Sequence, residues 1–162
     1  MRYCKQFYLA FFGQDYQIYG FDIESSYDFS DNFKANFQYS YIKGDDLTRD
    51  LPLINMPSNN ILASISYQIP SIGRFKNIEM TLNNQYVFEQ SHLLASQDFV
   101  LPPPAYNLVG LKLSTEITLG KTTATIYISG DNILNVAYRD YLNRQRYFAD
   151  DLGRNIVIGG SW

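Results

Sequence analysis

The feature that most constrains this 162-residue sequence is a strict alternation of apolar and polar side chains. In five windows, one set of alternate positions holds 25 apolar residues of 28, and the other set holds 2 of 23. The windows are residues 19–29, 33–41, 61–69, 78–88 and 109–119. A period of two places successive side chains on opposite faces of a β-strand. The sequence therefore predicts an all-β protein, with two less regular strands at 122–135 and 154–162.

These strands are longer than the roughly 5–6 residues common in soluble proteins. Windows of about 9–11 residues with one apolar face match the length that crosses a bilayer as a tilted strand. The opposite face carries charges in mid-strand, which hydrocarbon excludes but a wet barrel lumen accepts. The predicted lumen-lining residues are Asp22, Glu24, Lys34, Lys112 and Glu116.

The connections between the windows alternate between short and long. The short ones fall at 30–32, 71–77 and 120–121, and the long ones at 43–59, 90–106 and 136–153. This arrangement is typical of outer-membrane barrels, in which short turns face the periplasm and long loops face the exterior. It predicts an antiparallel up-and-down meander of about seven long strands.

Seven strands do not close a bacterial barrel, which normally has an even number of strands. Residues 6–12 could supply an eighth strand, and residues 1–25 carry no secretory signal. We therefore expect a C-terminal part of a longer protein. Its structure should be an open, curved sheet with two unpaired edges.

The last third of the sequence resembles the TonB-dependent outer-membrane receptors. Residues 130–138 read GDNILNVAY, in which an Asn-x-x-Asn step precedes an extracellular loop and a tyrosine follows. Residues 138–151 are similar to the final loop of receptors from the Bacteroidota, and a Gly-Arg step opens the last strand. The matching residues are Asn132, Asn135, Tyr138, Gly153 and Arg154. The resemblance covers about residues 14–162.

This resemblance implies that residues 1–162 form the C-terminal part of a 22-stranded barrel, whose plug domain lies outside this sequence. It implies an outer-membrane location, contact with lipid, and a TonB partner that binds the missing N-terminal part. It also implies that the barrel-assembly machinery recognises the last strand through Ile156, Ile158 and Trp162. The expected function is active uptake of a scarce small-molecule nutrient, most often a ferric siderophore, with cobalamin, haem or glycan as alternatives.

Composition narrows the other function classes. A net charge of -3 without a Lys/Arg cluster argues against nucleic acid as a partner. The one cysteine, Cys4, has no internal disulfide partner, and no metal-type Cys/His spacing occurs. The single histidine, His92, has no local catalytic signature around it. We therefore expect neither enzymatic activity nor a cofactor.

The candidate ligand-binding residues lie in the predicted external loops: His92, Arg139, Tyr141, Arg144 and Arg146. Arginine and tyrosine side chains together can hold an anionic ligand through forked hydrogen bonds and stacking. The alternative is packing of the last loop against its own Asp140, Asp150 and Asp151. For His92 the alternative is a solvated loop residue. The neighbouring acids Asp45 and Asp46 of the first long connection are expected to be solvated as well.

Two self-contained small barrels remain as alternative hypotheses. A lipocalin-like soluble binder would reverse the faces, so that the apolar side lines a ligand cavity. An eight-stranded outer-membrane adhesin would keep the faces and pair its first strand with its last. Alternation alone does not distinguish the inside of a barrel from its outside.

Overall fold

The computed structural model describes residues 2–6, 15–120 and 122–162. These residues form one antiparallel sheet with almost no helix. The strands are β1 (Arg2–Gln6), β2 (Tyr16–Ser30), β3 (Phe33–Asp46), β4 (Leu51–Pro52), β5 (Asn60–Ile72), β6 (Phe75–Val87), β7 (Tyr106–Leu119), β8 (Thr122–Asp131) and β9 (Asn155–Ser161). Two short 3-10 segments, Ala95–Gln97 and Arg144–Tyr147, lie in the long loops. The predicted all-β class is confirmed.

The strands follow one another across the sheet in the order β1-β2-β3-β5-β6-β7-β8-β9, and the two-residue β4 pairs with β3. The antiparallel meander is therefore confirmed, with eight main strands rather than seven. Within the described residues β1 and β9 do not pair with each other, so the sheet is open. The described residues therefore do not form the closed eight-stranded cylinder of the adhesin hypothesis.

Three predicted boundaries differ from the structure. The eighth strand is β1, at Arg2–Gln6, whereas the predicted position continued into residues 7–12, which lie outside the described residues. The predicted turn at 71–77 is only two residues long, because Gly73 adopts φ +60° and lets β5 and β6 extend to it. Strand β8 ends at Asp131 instead of 135 because Asn132 has φ +48° and Asn135 has φ +54°.

The sheet has scarcely any core of its own. The buried hydrophobic residues of the described part are Met56, Val87 and Tyr141, and none of them belongs to the apolar face of the strands. At the centre of that face, Ile65 and Leu82 are partners across β5 and β6, and each is 46% exposed. A large exposed apolar surface marks contact with a partner or a membrane. The stripe predicted from the alternation is thus present and uncovered.

A groove of about 490 Å³ lies on the opposite, polar face. Its lining runs from Glu24 on β2 to Asn155 on β9. In a flat sheet these two strands would lie about 29 Å apart, at the usual strand spacing. The sheet therefore curves around its polar face, as a barrel wall curves around a lumen.

The last strand is seated on its neighbour through a glycine. Gly159 pairs with Tyr127 of β8, and the tyrosine ring covers the place where a Cβ atom would stand, 2.5 Å from it. Lys112 of β7 lies over the same ring, with its Nζ atom 5.8 Å from the Tyr127 ring centroid. Only glycine at position 159 leaves room for the ring.

Candidate functional site

The five residues predicted to line a lumen lie on one face of the sheet. Strand register places Glu24 opposite Gln38, and it places Lys34 in one row with Ser66, Thr81 and Lys112. Asp22 and Glu116 share this face because they lie an even number of residues from Glu24 and Lys112, respectively. The structure brings the five together on the polar face, and that this face lines a lumen stays a prediction.

On the polar face, side chains of neighbouring strands form hydrogen bonds with each other. Asn36 donates to Ser64 over 3.2 Å, and the hydroxyls of Ser66 and Thr81 lie 3.0 Å apart. Asn77 donates to Glu116 over 3.0 Å. Cross-strand polar pairs of this kind stabilise register and leave the charged groups in water.

The three long connections fold together into one structure, which we call the loop cap: residues 47–59, 88–105 and 132–154. Its first half joins the first two loops. Gln90 donates from Nε2 to the carbonyl oxygen of Met56 over 2.9 Å, and Gln97 donates to that of Pro52 over 2.9 Å. Both bonds run from a side chain of the second loop to a backbone carbonyl oxygen of the first connection. Residues 88–105 are therefore fastened along the earlier loop.

His92 takes part in the same junction. Its Nε2 atom lies 2.6 Å from Oδ1 of Asp45, and both side chains are about one-third exposed or less. Asp46 is buried and accepts hydrogen bonds from the backbone N–H groups of Thr48 and Arg49, each over 3.0 Å. The expectation that these three side chains are simply solvated was wrong, because each of them holds loop backbone or another loop in place.

The second half of the loop cap centres on Arg146, whose side chain is 2% exposed. Its Nη2 atom donates to Asp98, which belongs to the neighbouring loop, and Tyr147 donates from its hydroxyl to the same carboxylate over 2.7 Å. The guanidinium carbon lies 4.7 Å from the ring centroid of Tyr141 and 4.5 Å from that of Tyr147. Arg146 is thus a buried, stacked and paired cation.

The contacts with Arg146 and Tyr147 set the pKa of Asp98. Burial alone would raise the pKa of Asp98, but the hydrogen bonds from Tyr147 and Arg146 outweigh it and hold that pKa below the ordinary aspartate value. The bond to Asp98 in turn raises the pKa of Tyr147. At neutral pH the pair is therefore a carboxylate facing a guanidinium and a neutral phenol.

The other predicted ligand-binding arginines, Arg139 and Arg144, lie on different sides of this loop. Arg139 donates to Asp150 over 2.6 Å and to the carbonyl oxygen of Arg146 over 2.9 Å. Arg144 is exposed, on the outer side of the same 3-10 segment as Arg146. The structure therefore brings Arg139, Tyr141 and Arg146 together but leaves Arg144 and His92 apart from them. Sequence reasoning missed Asp98 and Tyr106, whose hydroxyl donates to Asp140 over 2.8 Å.

The Asn-x-x-Asn step closes the turn after β8. The side chain of Asn132 both donates to the carbonyl oxygen of Val136 and accepts from its N–H group, each over 2.9 Å. Asn135 accepts from the N–H group of Arg154 over 2.9 Å. A Cβ atom at position 153 would stand 2.9 Å from the same Asn135 oxygen, so a side chain there would push this amide out of its place. These motif residues therefore serve backbone geometry.

Replacing Asn132 by alanine should loosen this turn. The substitution removes both bonds to Val136, and it forces alanine into a left-handed conformation. We expect a loss of about 1–3 kcal/mol in the local free energy of opening. Hydrogen exchange of residues 132–138 should report it. Leu134→Ala, at an exposed position of the same turn, is the control, and equal exchange in both variants would contradict the assignment.

Among residues 2–6, 15–120 and 122–162, no group of three or more His, Cys, Asp or Glu side chains is placed to hold a metal ion. No helix in the described part of the chain has the length and apolar content that spanning a membrane requires. Cys4 lies in β1.

The open curved sheet, its polar groove and the interlocked loops define a segment of antiparallel β-barrel wall. Among solved structures, the chain is similar to the copper transporter OprC, with a TM-score of 0.70 and 15% sequence identity. The match covers 87% of this chain and 22% of OprC, so the chain spans about a fifth of the length of that transporter. No family model matches the chain, and no curated protein sequence matches it. At this identity the likeness shows the fold.

Proposed function

We propose that this chain forms barrel wall and external loops of an outer-membrane transport receptor of the TonB-dependent kind. The observation that carries the proposal is the pair of unlike faces on strands of 13 to 15 residues in the middle of the sheet. One face is apolar and uncovered, and the other is charged and lines a groove. Lipid outside and water inside satisfy both faces at once.

The fold of OprC supports the same role, because that protein is a transporter and this chain matches a segment of its structure. In the proposed arrangement both sheet edges, β1 and β9, pair with strands of the remaining barrel. The plug and the TonB contact belong to an N-terminal part, and β9 presents Ile156, Ile158 and Trp162 to the barrel-assembly machinery. The described residues then bind and admit a ligand rather than make or break bonds.

The proposed cargo is a bulky organic nutrient, and the family resemblance favours a ferric siderophore. Copper, the metal in the name of OprC, is the competing class. The similarity of residues 138–151 to the last loop of Bacteroidota receptors supports a receptor of that group. Two growth comparisons, each with and without the intact gene, separate the two cargo classes. One supplies iron only as a ferric siderophore, and the other limits copper.

The lipocalin-like hypothesis is the weaker candidate. It requires apolar side chains to line the ligand cavity. In the structure polar side chains such as Asn36, Gln38 and Asn83 reach into the groove, and the apolar face is uncovered. The geometry therefore favours the membrane-spanning interpretation.

Trypsin treatment of intact source cells tests both location and orientation. Arg144 lies exposed in a long loop, and Arg74 lies in the short turn between β5 and β6 at the opposite end of the strands. We expect cleavage at Arg144 in intact cells, and cleavage at Arg74 only after the outer membrane is permeabilised. Recovery of the chain in the soluble fraction, or cleavage at Arg74 first, would overturn the proposal.

A further inference from the structure

A cleft of about 810 Å³ lies between residues 100–107 and residues 136–150 of the loop cap. This volume is in the range of pockets that bind small organic molecules. Its walls are largely apolar and rigid, because Pro102, Pro103 and Pro104 form one side and Val136 and Ala137 form part of the other. The cleft is separate from the groove on the polar face, although Tyr138 borders both.

Arg146 lines this cleft and has one donor group left over. Its Nη2 atom is occupied by Asp98 and Tyr147, but its Nη1 atom is buried and donates to none of the described residues. Buried donors are almost always paired in folded proteins, since an unmade bond there is costly. Arg146 lines the cleft, so a molecule bound there is the one source of an acceptor for this donor outside the described residues.

The charges around the cleft decide which acceptor fits. Arg146 is balanced by Asp98, and Arg139 by Asp150. Two further carboxylates, Asp140 and Asp151, lie in the same loop and are bonded to neutral donors such as the Tyr106 hydroxyl and the Asn143 amide. Both arginines that line the cleft are thus already paired with carboxylates, so neither offers an uncompensated positive charge to an anion.

Ionisation of Tyr138, which lines the cleft, is also opposed. Burial raises the pKa of Tyr138, and the nearby carboxylates of Asp151 and Asp140 raise it further. The charged form of this phenol is therefore disfavoured, chiefly because burial removes the water around it. A ligand anion would meet the same opposition.

We propose that this cleft binds an uncharged, largely apolar molecule through a carbonyl or amide oxygen that accepts from Nη1 of Arg146. From the sequence, an anionic ligand and packing of the loop against its own acids were the two alternatives, and this proposal names a neutral ligand instead. The proposal deepens the transport function and rests on it only for the biological role of binding. Binding itself is measured without reference to membrane location.

Competition against a photoreactive probe tests the preference. The probe is an anilide that carries a diazirine, cross-linked to the full-length protein in whichever cell fraction contains it and mapped by peptide mass spectrometry. The competitors share one shape: 4-phenylbutanamide is neutral, 4-phenylbutanoate is anionic, and (4-methylpentyl)benzene has no acceptor. We expect cross-links at 100–107 or 136–139, and competition by the amide at about tenfold lower free concentration than either analogue, as one hydrogen bond to a charged donor predicts.

Three variants locate the effect. Ala137→Trp fills the cleft from an exposed position and should abolish cross-linking, whereas Arg144→Gln on the outer side of the turn should not change it. Arg146→Lys keeps a cation beside Asp98 but removes the second nitrogen. In this variant the amide should compete at about the same free concentration as the hydrocarbon. Competition led by the anion, cross-linking elsewhere, or cross-linking unaffected by Ala137→Trp would each overturn the proposal.

Discussion

Replacing Arg146 by methionine is expected to open the second half of the loop cap. The substitution leaves Asp98 as a nearly buried carboxylate without its cation, and removal of one partner from a buried ion pair costs about 3–5 kcal/mol. It also removes the two stacking contacts with Tyr141 and Tyr147. Hydrogen exchange and protease sensitivity of residues 88–105 and 136–152 should rise together, because the pair joins the two loops.

The matched control is Arg144→Met, two residues away and exposed, which should change loop opening by no more than about 0.5 kcal/mol. Adding Asp98→Leu to Arg146→Met should recover part of the loss, since the unpaired charge is then gone. Equal protection of the loops in the two arginine variants would show that the pair does not hold them.

The same pair predicts a pH dependence. The folded-state pKa of Asp98 lies below its unfolded value, so ionised Asp98 stabilises the cap fully above the unfolded pKa of about 3.9. This stabilisation is lost as the pH falls through the lowered folded pKa. Loop protection should therefore persist unchanged from neutral pH to about pH 5 and decline only at strongly acidic pH.

The second large effect is expected from placing a charge on the apolar face. Leu82 lies near the middle of β6, opposite Ile65, and both are exposed on that face. Arginine at the bilayer midplane costs about 2–4 kcal/mol in transmembrane barrels. Leu82→Arg should lower both the yield of folded protein in the outer membrane and its unfolding midpoint in denaturant.

Gln85→Arg provides the comparison within the same strand. Gln85 lies three residues away and points to the polar face, where it lines the groove. Because that face accepts charge, the variant should fold and unfold nearly as the parent does. If Gln85→Arg were the more damaging substitution, the apolar face would be the inside of the molecule, and the membrane interpretation would be wrong.

Much of the fold follows from local pattern, because strand faces are set by a period of two that neighbouring residues display directly. The faces of β2, β3, β5, β6 and β7 were predicted in this way, and so were the short and long connections. Strand β1 was not, since its five residues are too few to show alternation. The 22-stranded barrel remains a prediction from family resemblance.

The loop cap was predictable only where its bonds are local. The pairing of Arg139 with Asp150 spans 11 residues within one loop, and packing against that acid was weighed from the sequence. Asp98 and Arg146 are 48 residues apart, and Asp45 and His92 are 47 apart. Which loops meet depends on how the intervening strands align, and no residue type near Asp98 signals its partner.

The fit of the Tyr127 ring over Gly159 bears on how the final strand finds its place. A slip of β9 by one residue would turn its apolar side chains to the wrong face, and a slip by two would put Val157 or Ser161 beneath the ring, where no Cβ atom fits. Gly159 thus permits one alignment among several that the backbone hydrogen bonds alone would allow. The register of β9 on β8 is therefore fixed by a position that has no side chain.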